Sequence, residues 1–390
     1  MPMRGSYREE RLDNGVVLIV DSYPSALAAV VVGIGVGPLF EPKDKRGYSH
    51  LLEHMLFNVS GFDVDKAVES LGGETNAFTH RSMVVLTFQA LAEGLGGLIE
   101  ITSRILTNRK YEEARFEKEK QVVLSEIRMS KEDPSERIGD LGLKSLFGDS
   151  PWGEPIGGLP EVVSAATLRD LVEFEETWIK PDNIVVALTG RVGEAEAAKA
   201  RAELSKLSGE APRRVVPEMG RGPLTLKETG RGIDGAYYSY AVRLSLDDAY
   251  LRLNAAAFHL ASGTKSILFE TLRDRGLAYS YYVDFDSAGR DGFLQVVVES
   301  TNDLEAAREA VRDVLNRSWT PPPYRLRYFA YEWNKNMEVP LNRAYAYVEA
   351  KMRGINPAEL EAKVQAAVGE GLAAIPRAAS YSAEAYLVPE

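Results

Sequence analysis

A repeated order of helices and strands is the feature that most limits the fold of this 390-residue chain. Apolar periodicity and turn residues predict a helix, two strands and a second helix between residues 64 and 106. The same order recurs between residues 266 and 316, with little sequence identity between the two stretches. The two stretches share the order of helices and strands although their residues differ. Such a repeat is typical of duplicated domains. We therefore expect an α+β protein with two homologous domains.

A boundary between the two domains is predicted at residues 208–223. This stretch combines Gly, Pro and charges of both signs and has little hydrophobic periodicity, which is typical of a linker. The protein also exceeds the usual size of a single domain, so each half is able to bury a core of its own. The expected division is a first domain at 1–207, the linker at 208–223, and a homologous domain at 224–390.

The pentapeptide His50-Leu51-Leu52-Glu53-His54 lies in a predicted helix at 47–57. Helix positions i, i+3 and i+4 share one face, so two imidazoles and one carboxylate project toward one point. This arrangement is typical of a zinc site in which Glu53 acts as a base on water. The order reverses the commoner His-Glu-x-x-His and is the inverzincin signature. A hydrogen-bonded histidine pair in the core is the alternative interpretation.

A third metal ligand must come from another part of the sequence, and the absence of cysteine limits it to His, Asp or Glu. A long helical pattern at 111–131 carries Glu119 and Glu126, which are seven residues apart. Seven residues make almost two helical turns, so both carboxylates lie on one face and are able to approach a metal. A solvated, charged helix is the alternative, and it suits Glu112, Glu113 and Glu117 better.

Together these two stretches resemble the family of pitrilysin, insulin-degrading enzyme and mitochondrial processing peptidase. In that family a glutamate ligand follows the inverted motif. A second glutamate lies seven residues before that glutamate ligand. The resemblance implies that His50, His54 and Glu126 hold one Zn²⁺ per chain. It also implies that Glu119 orients a ligand or assists catalysis. The implied fold is the LuxS/MPP-like metallopeptidase fold, in which each domain has an antiparallel-rich mixed sheet with helices packed on one face.

The predicted strand at 75–79 is similar to the active-site edge strand of this family. The resemblance implies that Asn76 and Ala77 bind an extended substrate by backbone pairing beside the scissile bond. An ordinary short strand is the alternative. Residues 57–61, Phe-Asn-Val-Ser-Gly, depart from the lysine-glycine-threonine type of turn that is common in the family. This departure concerns the loop after the motif and not the expected ligands.

In the second half, the segment at 268–280 is similar to the family segment that supplies an arginine and a tyrosine to the catalytic chamber. The implied residues are Arg273 and Tyr279, which would bind the substrate and stabilise the developing oxyanion. The spacing is one residue longer than usual, so Arg275 is an alternative to Arg273. The isolated histidines His80 and His259 have no partner at ligand spacing, and we expect them to be structural or exposed.

The resemblance implies a zinc-dependent endopeptidase that hydrolyses peptides or unfolded polypeptides inside a dimeric clamshell chamber. Family chambers contain four homologous domains, whereas this protein has room for two. A homodimer is therefore expected, and a heterodimer with a homologous subunit is the alternative. A non-catalytic subunit for peptide binding or assembly, and a zinc hydrolase of non-peptide substrates, are the competing functions.

Charge and hydropathy indicate which classes of partner are disfavoured and which cellular location is expected. With 57 acidic and 46 basic side chains the formal net charge is −11, which disfavours nucleic acid as a partner. Residues 1–21 lack the apolar core of a signal peptide, and the apolar run at 26–36 is shorter than the roughly 20 residues that span a bilayer. We therefore expect a cytoplasmic protein with no membrane partner.

Overall fold

The computed structural model describes residues 6–107 and 110–390. The strands are β1 Ser6–Arg11, β2 Val17–Ser22, β3 Leu27–Ile34, β4 Glu74–Thr79, β5 Val84–Leu91, β6 Ile184–Gly190, β7 Thr225–Gly230, β8 Ala236–Ser245, β9 Ser280–Ala288, β10 Asp291–Thr301 and β11 Ala379–Pro389.

The α-helices lie between residues 48 and 378. They are α1 Tyr48–Leu56, α2 Val64–Glu69, α3 Leu95–Thr107, α4 Glu113–Glu132, α5 Pro134–Phe147, α6 Pro160–Ala165, α7 Leu168–Trp178, α8 Glu194–Leu204, α9 Ala249–Ala261, α10 Leu304–Asn316, α11 Pro323–Glu338, α12 Pro340–Met352, α13 Leu360–Glu370 and α14 Ile375–Ala378. Within the described residues, no helix combines the length and the apolar character that crossing a membrane requires.

The first sheet has the strand order β1-β2-β6-β3-β5-β4. Its neighbouring strands are antiparallel except β2 and β6, which are parallel. The inner strands β3 and β6 are apolar runs with almost every residue buried, as expected for strands that are covered on both faces. By contrast, β4 alternates between exposed and half-buried residues and forms an edge of the sheet.

The second sheet has the strand order β7-β11-β8-β10-β9. Here β7 and β11 are parallel and the other neighbours are antiparallel. Order and direction therefore match the run β2-β6-β3-β5-β4 of the first sheet, with β9 in the place of β4. The predicted fold class is confirmed: the protein is α+β, and each of its two domains has a mixed, mostly antiparallel sheet with packed helices.

Contacts divide the protein into two compact units that interleave along the sequence. Unit 1 comprises Met1–Ile127, Ile156–Val215 and Glu332–Leu360, and unit 2 comprises Arg128–Pro155, Val216–Tyr331 and Glu361–Glu390. Unit 1 thus includes α12, which packs on β3 and β6, and unit 2 includes α5, which packs on β8 and β11. The division predicted at 208–223 instead gives two domains that are each continuous in sequence. It would place α12 in the second domain and α5 in the first. Local periodicity shows that a helix has an apolar stripe but not which sheet will cover it.

One predicted helix is shorter than expected. Before the strands of the 266–316 repeat, the sequence predicts a helix near 266–275, and the structure is helical at 267–273, with the π-helical segment Phe269–Arg273 at its end. Gly263 and Gly276 flank it with φ values of +78° and +70°, a left-handed conformation that interrupts a helix on either side. The segment therefore ends before it completes a long helix, while α10 follows the two strands as predicted.

Candidate metal centre

A buried carboxylate fixes the N-terminus of α1. Gly47 precedes the helix at a φ of 102°, a left-handed conformation that favours glycine. Glu41 accepts hydrogen bonds from the backbone N–H groups of Gly47 and Ser49, at 2.8 and 2.6 Å. Burial raises the pKa of Glu41, and these two hydrogen bonds oppose the rise. The first turn, which carries His50, is therefore anchored by hydrogen bonds that its free N–H groups need.

The motif residues divide between the two sides of α1. Leu51 and Leu52 are fully buried in the core of unit 1. His50, Glu53 and His54 are only partly buried and lie on the other side of the helix. The ring centroids of the two histidines are 4.9 Å apart, and their planes meet at 83°. As predicted from the spacing, the structure brings both imidazoles to one place.

Glu126 of α4 completes a cluster with these imidazoles. Its Oε2 lies 3.5 Å from His50 Nε2 and 3.3 Å from His54 Nε2. One ligand atom from each residue lies within 4.8 Å of the other two. In a tetrahedral zinc site with bonds of roughly 2.0–2.1 Å, ligand atoms are about 3.3–3.4 Å apart. The three side chains therefore fit a zinc ion.

The protonation state of His50 also suits a metal ligand. Burial, with a smaller contribution from His54, lowers the pKa of His50 to about 4. The imidazole is therefore neutral near pH 7, which is the form that coordinates a metal. Its Nδ1 is buried and has no hydrogen-bond partner among the described residues.

Glu53 is held by the edge strand β4. Thr79 Oγ1 donates a hydrogen bond of 2.5 Å to Glu53 Oε2. Burial raises the pKa of Glu53, and the hydrogen bond from Thr79 opposes part of that rise. A carboxylate with a raised pKa is a stronger base, which suits proton transfer near neutral pH. No local pattern indicates the contact with Thr79, because only tertiary packing brings β4 to α1.

Glu119 lies beside His54 on the side away from Glu126. Its Oε2 is 3.3 Å from His54 Nδ1, and its Oε1 forms an ion pair with Arg115 at 3.0 Å. The side chain of Glu119 is 10% exposed, whereas that of Glu126 is 45% exposed. The two glutamates of α4 therefore contact different nitrogens of the same imidazole. The i, i+4 spacing of Arg115 and Glu119 is a signal for their contact that sequence reasoning missed.

Asn76 and Ala77 lie in the edge strand β4, which also supplies Thr79. Among the described residues, β4 has a strand neighbour on one side, β5. Asn76 Oδ1 accepts a hydrogen bond of 2.8 Å from the N–H of Ala77, and the Asn76 C=O accepts one of 3.0 Å from Thr87 Oγ1. Within unit 1, an edge strand therefore contacts Glu53, on the helix that carries the two histidines of the candidate metal site.

Arg273 and Tyr279 lie in unit 2, whereas the metal cluster lies in unit 1. The Arg273 guanidinium is 4.3 Å from the centroid of the Tyr279 ring, and Tyr279 is 77% exposed. With Phe269 and Tyr281 they line a cavity of about 520 Å³. The structure thus places Arg273 and Tyr279 together, and Arg275 is an exposed residue on the same segment.

The two isolated histidines lie outside the cluster. His80 follows β4, and its Nε2 makes a short hydrogen bond with the hydroxyl of Tyr345. His259 is fully buried in unit 2, with Nε2 2.9 Å from the backbone oxygen of Val368.

Two mixed sheets of matching topology, together with an inverted His-His-Glu cluster on helices α1 and α4, are typical of two-domain proteins of the inverted-motif metallopeptidase class. The chain belongs to the insulinase family, peptidase family M16. The sequence model of this family matches residues 16–158, and that of the peptidase M16 inactive domain matches residues 165–319. The resemblance predicted from the sequence is confirmed.

Relatives and solved structures agree with this assignment. An uncharacterized zinc protease of Mycobacterium leprae is 31% identical over 300 residues, which cover 73% of this chain and 67% of the relative. A probable mitochondrial-processing peptidase subunit beta of Arabidopsis thaliana is 28% identical over 264 residues, 66% of this chain and 47% of the relative. The crystal structure of a protease from Helicobacter pylori matches with a TM-score of 0.86 at 18% identity, over 99% of this chain and 100% of that chain.

Proposed function

We propose that the protein is a zinc-dependent endopeptidase that hydrolyses peptides or unfolded polypeptides. The observation that carries the proposal is the cluster of His50, His54 and Glu126, in which the glutamate oxygen lies 3.5 and 3.3 Å from the two imidazole nitrogens, close to the separations of zinc ligands. Membership of a peptidase family and relatives that are named zinc proteases support a peptide bond as the target.

In the proposed mechanism, His50, His54 and Glu126 would hold one zinc ion. When bound, zinc would act as a Lewis acid that makes a water molecule more acidic. Glu53 removes a proton from water as the water oxygen attacks the peptide carbonyl carbon, and passes that proton to the leaving amine as the C–N bond breaks. Glu119 accepts a hydrogen bond from His54 Nδ1 and so orients the ring.

The proposed substrate is an extended peptide that pairs with β4 beside Asn76 and Ala77. Backbone pairing depends little on side chains, so this mode suits a peptidase of broad specificity. The action of Arg273 and Tyr279 on the substrate stays a prediction from the family resemblance.

A homodimer is the proposed assembly, since the family resemblance implies a chamber of four homologous domains and the residues that the structure describes form two. The relative from Arabidopsis thaliana is named a subunit, which supports a heterodimer as the alternative. Light scattering with a parallel activity assay separates them: an active dimer of this protein alone supports the homodimer, and an inactive monomer contradicts it. The cytoplasmic location stays a prediction.

A second candidate function is that of a non-catalytic, peptide-binding subunit. The match of residues 165–319 to the inactive domain of the family favours this candidate. The intact cluster in unit 1 favours the peptidase.

Zinc content measured together with digestion of a peptide library tests the proposed function. The wild type and Glu113→Gln, an exposed position in the first turn of α4, should hold one zinc per chain and cleave peptides. Glu126→Gln should lose both zinc and cleavage, because two imidazoles alone hold zinc weakly. Cleavage that persists without metal would contradict the mechanism. A zinc-loaded protein that cuts no peptide would favour the non-catalytic subunit or a non-peptide substrate.

A further inference from the structure

A closed circuit of polar contacts runs from the ring of His54 back to its own backbone. Nδ1 of His54 lies 3.3 Å from Glu119 Oε2, and Glu119 Oε1 lies 3.0 Å from an Arg115 terminal nitrogen. Arg115 Nε donates to Asn58 Oδ1 at 2.5 Å. Asn58 Nδ2 then donates to the backbone C=O of His54 at 2.7 Å. The circuit joins α1, the loop that follows it and the beginning of α4.

Each member of the circuit matches its neighbours in chemistry. The C=O of His54 lies in the last turn of α1, where backbone carbonyls lack helical partners, and the amide of Asn58 satisfies it. The same amide presents an oxygen to Arg115. The planar guanidinium donates to Asn58 and Glu119 at once, which the single ammonium of a lysine does less well. Asn58 belongs to the loop at 57–61 that departs from the family pattern.

The circuit distinguishes His54 from His50. His50 Nδ1 is buried without a hydrogen-bond partner among the described residues. Both ring nitrogens of His54 lie 3.3 Å from a carboxylate oxygen, Nδ1 from Glu119 Oε2 and Nε2 from Glu126 Oε2. Zinc binding needs the lone pair on Nε2 and therefore the proton on Nδ1, where Glu119 accepts its hydrogen bond. Glu119 thus favours the tautomer that binds zinc, and Glu126 competes with it when no metal is bound.

We propose that Arg115 and Asn58 are positioning residues that fix the orientation and tautomer of His54 for zinc binding. This inference rests on the proposed zinc site and extends it to two side chains that do not touch the ion. Glu119 transmits their effect because it contacts both Arg115 and His54.

Zinc affinity of the full-length protein, measured by competition with a chromophoric chelator, tests this proposal. Arg115→Met should weaken zinc binding by roughly tenfold or more, since loss of a group that orients a metal ligand costs about 10–100-fold in affinity. Arg115→Lys should recover part of the loss. The matched control is Lys118→Met, at an exposed position on the same helix, which should change the affinity less than about twofold.

A double variant tests whether Asn58 and Arg115 act as one unit. Asn58→Leu combined with Arg115→Met should weaken zinc binding little beyond the stronger single variant, because either change opens the circuit. Arg115→Met with wild-type affinity, or full additivity of the two changes, would overturn the proposal.

Imidazole ¹⁵N NMR of the metal-free protein separates this inference from the zinc site itself. The protein has four histidines, so few signals need assignment. In Glu126→Ala, where Nε2 no longer faces a carboxylate, a neutral His54 ring should be in the Nδ1–H form, and adding Arg115→Met should give a mixture of tautomers. An unchanged tautomer after Arg115→Met would overturn the positioning role even when zinc binds to the wild type. The expected tautomers together with a wild type that binds no zinc would refute the proposed function while leaving the effect on His54 in place.

Discussion

The two units share a strand order but differ at the helix that follows the matched strands β3 and β8. In unit 1 this helix is α1, whose His50 and His54 face Glu126 of α4. In unit 2 it is α9, whose His259 is buried against the backbone oxygen of Val368. Within the part of the protein that the structure describes, the unit 1 cluster is the one group of His, Asp or Glu residues with metal-binding geometry.

This difference teaches that the sheet framework and the chemistry are separable. One framework accommodates a histidine that contributes to packing and a histidine pair that is arranged for a metal. Function must therefore be inferred from the side chains of each unit and not from their common fold.

Each unit includes one helix from the other half of the sequence, α12 in unit 1 and α5 in unit 2. The two helices make different contacts with their sheets. In unit 1, Arg343 of α12 donates to Asp21 of β2 at 3.1 Å, and the hydroxyl of Tyr347 donates to the same carboxylate at 2.9 Å. In unit 2, α5 approaches its sheet so closely that a Cβ at Gly142 would lie 2.1 Å from Ser239 Oγ. The ion pair that attaches α12 is buried, whereas the ion pair of α5, between Arg137 and Glu228 of β7, is partly exposed.

The largest expected effect on stability follows from this contrast. Arg343→Met should lower the free energy of unfolding by about 3–5 kcal/mol, because Asp21 stays buried without its cation. Both side chains are less than 5% exposed. Lys351→Met, which removes a more exposed ion pair with Glu9 from the same helix, should cost about 0–1 kcal/mol. Denaturant unfolding measures both values, and equal losses would contradict a special role for the buried pair.

A smaller effect concerns the pH dependence of unit 2. Burial lowers the pKa of His259 to about 4 from its ordinary value of 6.5. Between pH 6.5 and about pH 4, His259 is protonated in the unfolded state but neutral in the folded state. The free energy of unfolding therefore falls as the pH falls from 6.5 to about 4. Between pH 7 and pH 5, wild type should lose about 2 kcal/mol more than His259→Gln. Denaturant unfolding at both pH values measures the difference, and identical losses would show that His259 is not buried in its neutral form.

Local spacing explains which parts of this arrangement could be predicted from the sequence. His50 and His54 share a helix face, so their convergence was predictable from the spacing alone. The place of Glu126 beside them was implied by the family resemblance and not by local spacing. The duplicated element order likewise predicted two related sheets. Thr79, by contrast, reaches Glu53 only through the packing of β4 against α1, and the exchange of α5 and α12 depends on contacts between residues far apart in sequence. Neither has a local signature.

The central claim is that unit 1 holds zinc and that Glu53 transfers the proton during peptide hydrolysis. The most direct measurement is the zinc content and the peptide-cleavage rate of Glu53→Gln, compared with wild type. Glu53→Gln should keep one zinc per protein molecule, because Glu53 is not a ligand, and should lose activity by on the order of 10²–10⁴-fold, because the base is gone. Retention of zinc with a cleavage rate near that of wild type would contradict the claim.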